Sequence, residues 1–205
     1  MTDLRRRHSH PALVAALVSA ALLPPSSAAD RDITAPFVAR SSPWGGGDFS
    51  LTSAQGKVSL KDFRGKVVII YFGYTFCPDA CPTSLAAIGE ALKKMPAAEA
   101  AEVQPIFVTI DPARDDLKRL ATYAEFFHPR MIGLGGSEAE VDAVAKMYRV
   151  FKRAHDVDSA GGYVVDHTSF IYIVGRRGEL RQRIQHGATP TAIATELGRA
   201  LAASR

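Results

Sequence analysis

The chain has 205 residues, with 25 Lys and Arg against 21 Asp and Glu, a net charge of +4. That length suits one domain with a sizeable core. So small an excess of positive charge excludes a nucleic-acid role argued from electrostatics.

Residues 1–29 read as a signal peptide. Arg5-Arg6-Arg7 form a basic start, Ala12 to Leu23 a short apolar run, and Ser27-Ala28-Ala29 a small-residue cleavage site. The run is shorter than the roughly 20 residues a membrane span needs. The alternative is an uncleaved anchor with the same basic flank. The leader holds three Arg and one Asp, so its removal lowers the counts from 25 and 21 to 22 and 20, a net +2. Export places the protein in an oxidising compartment. Residues 30–47, with Pro36, Pro43 and Gly45-Gly46-Gly47, read as an extended tether poor in core residues. Residues 48–205 form the domain. Phe49 and Leu51, then Val58 and Leu60, alternate on either side of Ala54-Gln55-Gly56 and predict a hairpin.

Val67-Val68-Ile69-Ile70-Tyr71-Phe72 is a continuous apolar run, the pattern of a central strand buried on both faces. Gly73-Tyr74-Thr75-Phe76 follows as a turn, then Cys77-Pro78-Asp79-Ala80-Cys81-Pro82. Leu85, Ile88, Leu92 and Met95 lie on one helical stripe. Proline is tolerated only in a helix's first turn, so Pro82 places the helix start near Cys81. The only two cysteines therefore sit at a helix N-terminus, at the carboxyl edge of a sheet. The partial positive charge there favours thiolate. Thiolate is the attacking species in disulfide exchange and the soft ligand for Cu(I). Three intervening residues permit a disulfide, and also give two sulfurs room to flank one metal ion. A merely structural disulfide is disfavoured, because so short a closed loop adds little stability.

Ala97 to Val103 reads as a loop or helix tail, and Ile106 to Ile110 as a second buried strand ended by Asp111-Pro112. Asp115 or Asp116 caps a helix with Leu117, Leu120, Tyr123, Ala124 and Phe127 on one stripe. Asp111 and Arg114 fall at the same sheet edge as the cysteines. Ser137 and Glu140 form a capping box for a further helix. Lys152 to Gly162, with His155, Asp156 and Asp158, reads as a solvated loop. Asp166-His167-Thr168 leads into a third buried strand, Ser169 to Val174. Leu180 to Ile184 is an edge strand, and Thr189-Pro190 caps the last helix. His128 and His186 sit at a helix end and in a turn, with nothing to mark them as ligands. This order is that of an α/β, thioredoxin-like fold with an N-terminal hairpin and insertions.

The stretch Gly73 to Pro82 resembles the signature of the Sco/SenC family, copper-binding proteins of cytochrome c oxidase assembly. Gly47 to Thr52 and Asp62-Phe63-Arg64-Gly65-Lys66 resemble the family's lead-in. Asp111-Pro112-Ala113-Arg114-Asp115 and Val165-Asp166-His167-Thr168-Ser169 resemble its later blocks. The match runs in order from about Gly46 to the C-terminus. Phe76 departs from the pattern, since many members have a polar residue there, often His. The Cys, Cys, His set is untouched.

The resemblance implies a metal site of Cys77, Cys81 and His167, with His167 brought opposite the cysteine loop. Two soft sulfurs and one imidazole suit Cu(I), and the same set resembles copper(II)-thiolate sites. Zinc wants a fourth ligand, for which only Asp79 or Asp166 offers itself. Asp79, Asp111, Arg114 and Asp166 are candidate supporting or partner-contact residues. The implied function is a copper metallochaperone that serves the dinuclear copper site of the oxidase. Its implied partners are the copper-site subunit and a thioredoxin-like reductant, in the periplasm close to the inner membrane. A Cys77–Cys81 disulfide would remove both sulfur ligands, so loading needs reduction. The rival is an enzyme, a thiol-disulfide oxidoreductase using the same pair. Such enzymes usually carry a proline before the strand facing the cysteines; here His167 stands in that neighbourhood instead.

Overall fold

The computed structural model describes residues 45–156 and 162–203. The expected leader, residues 30–44 of the expected tether and Asp158 lie outside them. The elements in order are β1 (Ser50–Ser53), β2 (Gly56–Ser59), a 3-10 turn (Leu60–Phe63), β3 (Val67–Gly73), α1 (Ala80–Lys94), α2 (Ala97–Ala101), β4 (Val103–Thr109), α3 (Leu117–Phe127), β5 (Ile132–Leu134), α4 (Glu138–Met147), β6 (Lys152–Asp156), β7 (Tyr163–His167), β8 (Ile171–Val174), β9 (Leu180–Ile184) and α5 (Pro190–Ala202).

One five-stranded sheet has the order β5-β4-β3-β8-β9. β3, β4 and β5 run parallel, and β8 and β9 add on antiparallel. Within it, β3-α1-β4-α3-β8-β9-α5 is a thioredoxin-like core. The β1–β2 hairpin precedes this core, and β5, α4, β6 and β7 are inserted between α3 and β8. All seven residues of β3 are buried, as expected of a central strand covered on both faces. Successive side chains of β3 serve opposite faces. Phe72 packs on Tyr148 and Tyr172 on one side, while Tyr71 reaches Ala80 in α1 on the other. Because β3 is parallel to β4, its chain must cross over through α1. That crossover sets the cysteine loop at the carboxyl end of the sheet's central strand.

Several expected boundaries shift, each for a physical reason. β4 begins at Val103 rather than Ile106 and runs through Pro105. β5 pairs only with Ile106 to Val108, so β4 is an edge where Pro105 lacks its N–H. The Gln104 amide covers this end by donating to the Pro105 and Arg130 carbonyls. Asp116, not Asp115, caps α3. Lys152 to Gly162 is not a plain loop: Lys152–Asp156 is β6, paired with β7 in a separate two-stranded sheet. His167 therefore ends β7 instead of beginning the buried strand, which starts at Ile171. The last residues of the expected tether, Gly45 to Gly47, are seated on the domain. All three have positive φ, a region that glycine adopts without strain. A Cβ on Gly45 would stand 2.4 Å from the Met147 carbonyl oxygen, and the Gly46 N–H donates to that same oxygen at 2.9 Å.

Candidate metal centre

Cys77 ends the turn after β3, and Cys81 is the second residue of α1. The helix start is unusual in its cap. Asp79 occupies the N-cap position but its side chain makes no capping bond; it accepts from Thr83 Oγ1 at 3.3 Å instead. The Cys81 N–H donates to Cys77 Sγ at 3.4 Å. The sulfur thus takes the place of a capping oxygen for one of the helix's orphan donors. Cys77 is half-buried and Cys81 fully buried, and no disulfide joins them.

The two sulfurs have divergent acidities. The Cys77 thiol is held far below its ordinary value, first by the hydrogen bond from the Cys81 thiol, then by His167 and the Asp79 and Cys81 N–H groups, against the opposing cost of burial. Cys81 is pushed up by that same bond to Cys77 and by burial. The pair's two acidities are therefore driven apart, Cys77 toward the thiolate and Cys81 toward the thiol.

Gly73 makes room for Cys81. A Cβ there would lie 2.7 Å from Cys81 Sγ and within 3.2 Å of the Tyr71 and Phe107 rings. The sulfur packs directly over bare backbone.

The β6–β7 hairpin brings in the imidazole. Its base is closed by the Lys152–His167 pairing, by the Thr168 N–H donating to the Phe151 carbonyl at 3.0 Å, and by the Phe151 N–H donating to Thr168 Oγ1 at 3.0 Å. His167 Nε2 lies 3.5 Å from Cys81 Sγ. Its Nδ1 lies 3.1 Å from the Thr168 carbonyl oxygen. A carbonyl only accepts, so Nδ1 carries a proton; in the neutral ring Nε2 then turns its lone pair toward the sulfurs. Tyr71 and Tyr74 stand edge-on to the ring at 6.3 and 6.0 Å. The ligand atoms of Cys77, Cys81 and His167 all lie within 4.8 Å of one another, the one such cluster among the described residues.

The other expected residues divide. Asp111 and Arg114 do not meet the sulfurs; they join the hairpin to the cysteine loop. Arg114 Nε donates to Asp111 Oδ2 at 2.5 Å and its Nη1 to the Tyr163 carbonyl at 2.7 Å. The Tyr163 hydroxyl donates to Asp111 Oδ1 at 2.6 Å. The guanidinium lies over the rings of Tyr163, Phe76 and Tyr74, at 3.7, 5.0 and 5.5 Å. Asp166 points to the opposite face of β7, exposed, with His155 Nδ1 3.5 Å from its Oδ2. Asp79 is exposed at the helix start.

Three supports escape a reading of the sequence. Asp115 is buried and accepts from the Thr75 N–H at 3.1 Å, Thr75 Oγ1 at 2.5 Å and Thr109 Oγ1 at 2.7 Å. The Tyr74 hydroxyl accepts from the Val165 N–H at 3.2 Å. His186, dismissed as a turn residue, holds buried Ser84 with Nδ1 2.9 Å from Oγ. Only the run of polar residues after β4 hinted at the first; the other two join positions 91 and 102 residues apart.

The profile of the SCO1/SenC family matches residues 39–202. The chain belongs to the SCO1/SenC family. It is similar to the mitochondrial SCO2 homolog of Bos taurus, 38% identical over 163 residues that cover 78% of this chain and 61% of that protein. The chain thus spans about three fifths of that relative's length. Among solved structures it resembles Bradyrhizobium japonicum ScoI with copper bound, at 39% identity and a TM-score of 0.69, covering 76% of this chain and 99% of that one. It also resembles Arabidopsis thaliana ScoI with copper bound, at 31% identity and a TM-score of 0.72, covering 77% and 98%. Two SCO1/SenC relatives solved with copper therefore share this fold.

Proposed function

We propose that this SCO1/SenC protein carries copper as cargo, held by Cys77, Cys81 and His167, and delivers it to the dinuclear copper site of cytochrome c oxidase during assembly. One observation carries the reading: two sulfurs and an imidazole nitrogen converge within 4.8 Å at a sheet edge. Two thiolates and one neutral imidazole suit Cu(I), a soft ion content with three ligands. The half-buried Cys77 gives a recipient's sulfur a place to attack the metal, so that ligands exchange one at a time. The buried Cys81 holds the cargo until last. Copper bound to the Bradyrhizobium and Arabidopsis relatives supports the choice of metal.

The wider setting follows from this reading. Residues 1–29 direct export and residues 30–44 tether the domain near the inner membrane, facing the periplasm. A thioredoxin-like reductant keeps the cysteines reduced, since oxidised sulfurs cannot load. Among the described residues no helix is long and apolar enough to cross a membrane.

The test is transfer. The reduced protein is loaded with Cu(I) and mixed with the soluble copper-site domain of the oxidase subunit, and the assembled dinuclear centre is followed by its absorption. We expect one copper per chain and transfer that fails for His167→Ala. A protein that binds no copper, or holds it without passing it on, overturns the reading.

A second reading has its own support in the thiolate of Cys77 beside the protonated Cys81. Cys77 would attack a disulfide in the recipient, forming a mixed disulfide and releasing one thiolate. Cys81 would then attack Cys77, its proton passing to the second leaving sulfur. The recipient leaves as a dithiol with two electrons, and the protein as the Cys77–Cys81 disulfide. This activity would survive loss of His167; copper transfer would not.

A further inference from the structure

Tyr71 is buried completely in β3. Its hydroxyl reaches the first turn of α1 and donates to the Ala80 carbonyl at 3.4 Å. The hydroxyls of Ser84 and Ser169 come close enough to the same phenol to act on its acidity, and Cys81 is in its reach as well. Ser84 belongs to α1 and is braced from outside by His186. Ser169 belongs to the connection after β7, where its Oγ donates to the His167 carbonyl at 3.3 Å. The Tyr71 ring itself stands edge-on to the His167 imidazole. One phenol therefore touches both supports of the cluster, the helix that carries Cys81 and the segment that carries His167.

Packing alone does not call for that oxygen. Phenylalanine would fill the same volume, and burying a hydroxyl costs free energy unless hydrogen bonds replace its water. Here the bond goes to α1, which carries Cys81, and the Ser169 hydroxyl approaches the same oxygen from the segment that carries His167. Such partners orient ligands without touching the metal.

We propose that Tyr71 is a positioning residue of the metal centre, its hydroxyl fixing how far the Cys81 sulfur and the His167 imidazole stand apart. The purpose rests on the copper reading above; the geometry does not.

The experiment uses Tyr71→Phe in the full reduced chain, with and without Cu(I). Without copper, the His167 imidazole nitrogens are followed by NMR and the alkylation rate of Cys81 is measured. We expect a shifted and broadened Nε2 signal and Cys81 alkylation faster by about tenfold or more. With copper, we expect retention weakened about 10- to 100-fold and a displaced thiolate-to-copper band in the Cu(II) form. Wild-type imidazole signals and wild-type alkylation would overturn the assignment. Ser169→Ala removes one partner from the other side and should reproduce part of the effect. Should Tyr71→Phe not fold, the same two readouts on Ser169→Ala decide. If the wild-type chain takes up no copper, the copper reading falls, while the copper-free readouts still decide the role of Tyr71.

Discussion

His167 Nε2 stands 3.5 Å from Cys81 Sγ, across 86 positions of the chain. Neither residue is placed by its neighbours in sequence alone. Cys81 is set by the crossover from β3 into α1, and His167 by the base of a hairpin inserted far downstream. Replacing His167 by alanine should therefore leave the fold alone and damage only the metal centre. We expect an unchanged far-ultraviolet circular dichroism spectrum and Cu(I) affinity down by more than about 100-fold, beyond the loss typical of outer-shell partners. Competition with a chelator of known affinity measures it. Wild-type affinity in this variant would remove the imidazole from the ligand set.

Proton counting tests the sulfur pair. Cys77 is already thiolate in the neutral range, because Cys81, His167 and the Asp79 and Cys81 N–H groups hold its pKa down against the cost of burial. Cys81 keeps its proton. Cu(I) binding near pH 7 should then release about one proton, not two, as metal displaces only what is still bound. Because a proton is a product, affinity should rise with pH, by about tenfold per unit. The linkage for folding has the opposite form at each sulfur. The Cys77 contribution is present above its unfolded pKa of about 8.5 and is lost as pH falls through its depressed folded value. The Cys81 contribution is present below about 8.5 and is lost as pH rises. Calorimetry in buffers of different ionisation heat gives the count.

Gly73→Ala should strike the site through crowding. The new Cβ would meet Cys81 Sγ at 2.7 Å, and overpacking of this kind costs about 1–3 kcal/mol. The same change at Gly198 in α5, where a Cβ meets nothing within 4 Å, should stabilise by about 0.5–1 kcal/mol. Thermal unfolding of both variants separates the local clash from the general effect of alanine.

Asp115→Asn tests the buried carboxylate beneath the cysteine loop. Both of its oxygens accept from Thr75 or Thr109, and an amide nitrogen in either place cannot accept. Leaving such donors unmet costs about 1–3 kcal/mol. We expect a lowered denaturation midpoint, together with weaker copper retention because Thr75 lies two residues before Cys77.

Arg114→Lys keeps the charge but loses the planar guanidinium that lies over three rings and bridges to Tyr163. Lysine does not replace arginine at a stacked site. Amide exchange should quicken across Tyr163 to His167 and stay unchanged in α5. Protection of Tyr163 to His167 equal to that of the wild-type chain would show that the hairpin is held by its own base.

Legibility in the sequence followed hydrophobic pattern. β3, the start of α1, β9 and α5 were readable because buried strands and amphipathic helices leave strong periodicities, and because Pro82 and Pro190 can stand only in first turns. The hairpin was hidden for the converse reason. Lys152–Asp156 is polar and largely exposed, so its pairing leaves no apolar signature. β5, with three residues, is too short to show a period. The distinction between Asp115 and Asp116 depends on which carboxylate faces the interior, and adjacent identical residues do not announce that. The cysteines and His167 could be picked out from motif blocks. The hydroxyls around Tyr71 could not, since each is an ordinary Ser or Tyr until the fold brings them together.

The sulfur that stands in for a capping oxygen at α1 has a consequence for observation. Once Cys77 turns its lone pairs to a metal or bonds to Cys81, the amide proton of residue 81 faces a poorer acceptor. The amide resonance of that single residue should therefore register whether the protein is empty, laden or oxidised, with no label and no chromophore. A spectator of the backbone would thus report the chemistry of the side chain it leans on.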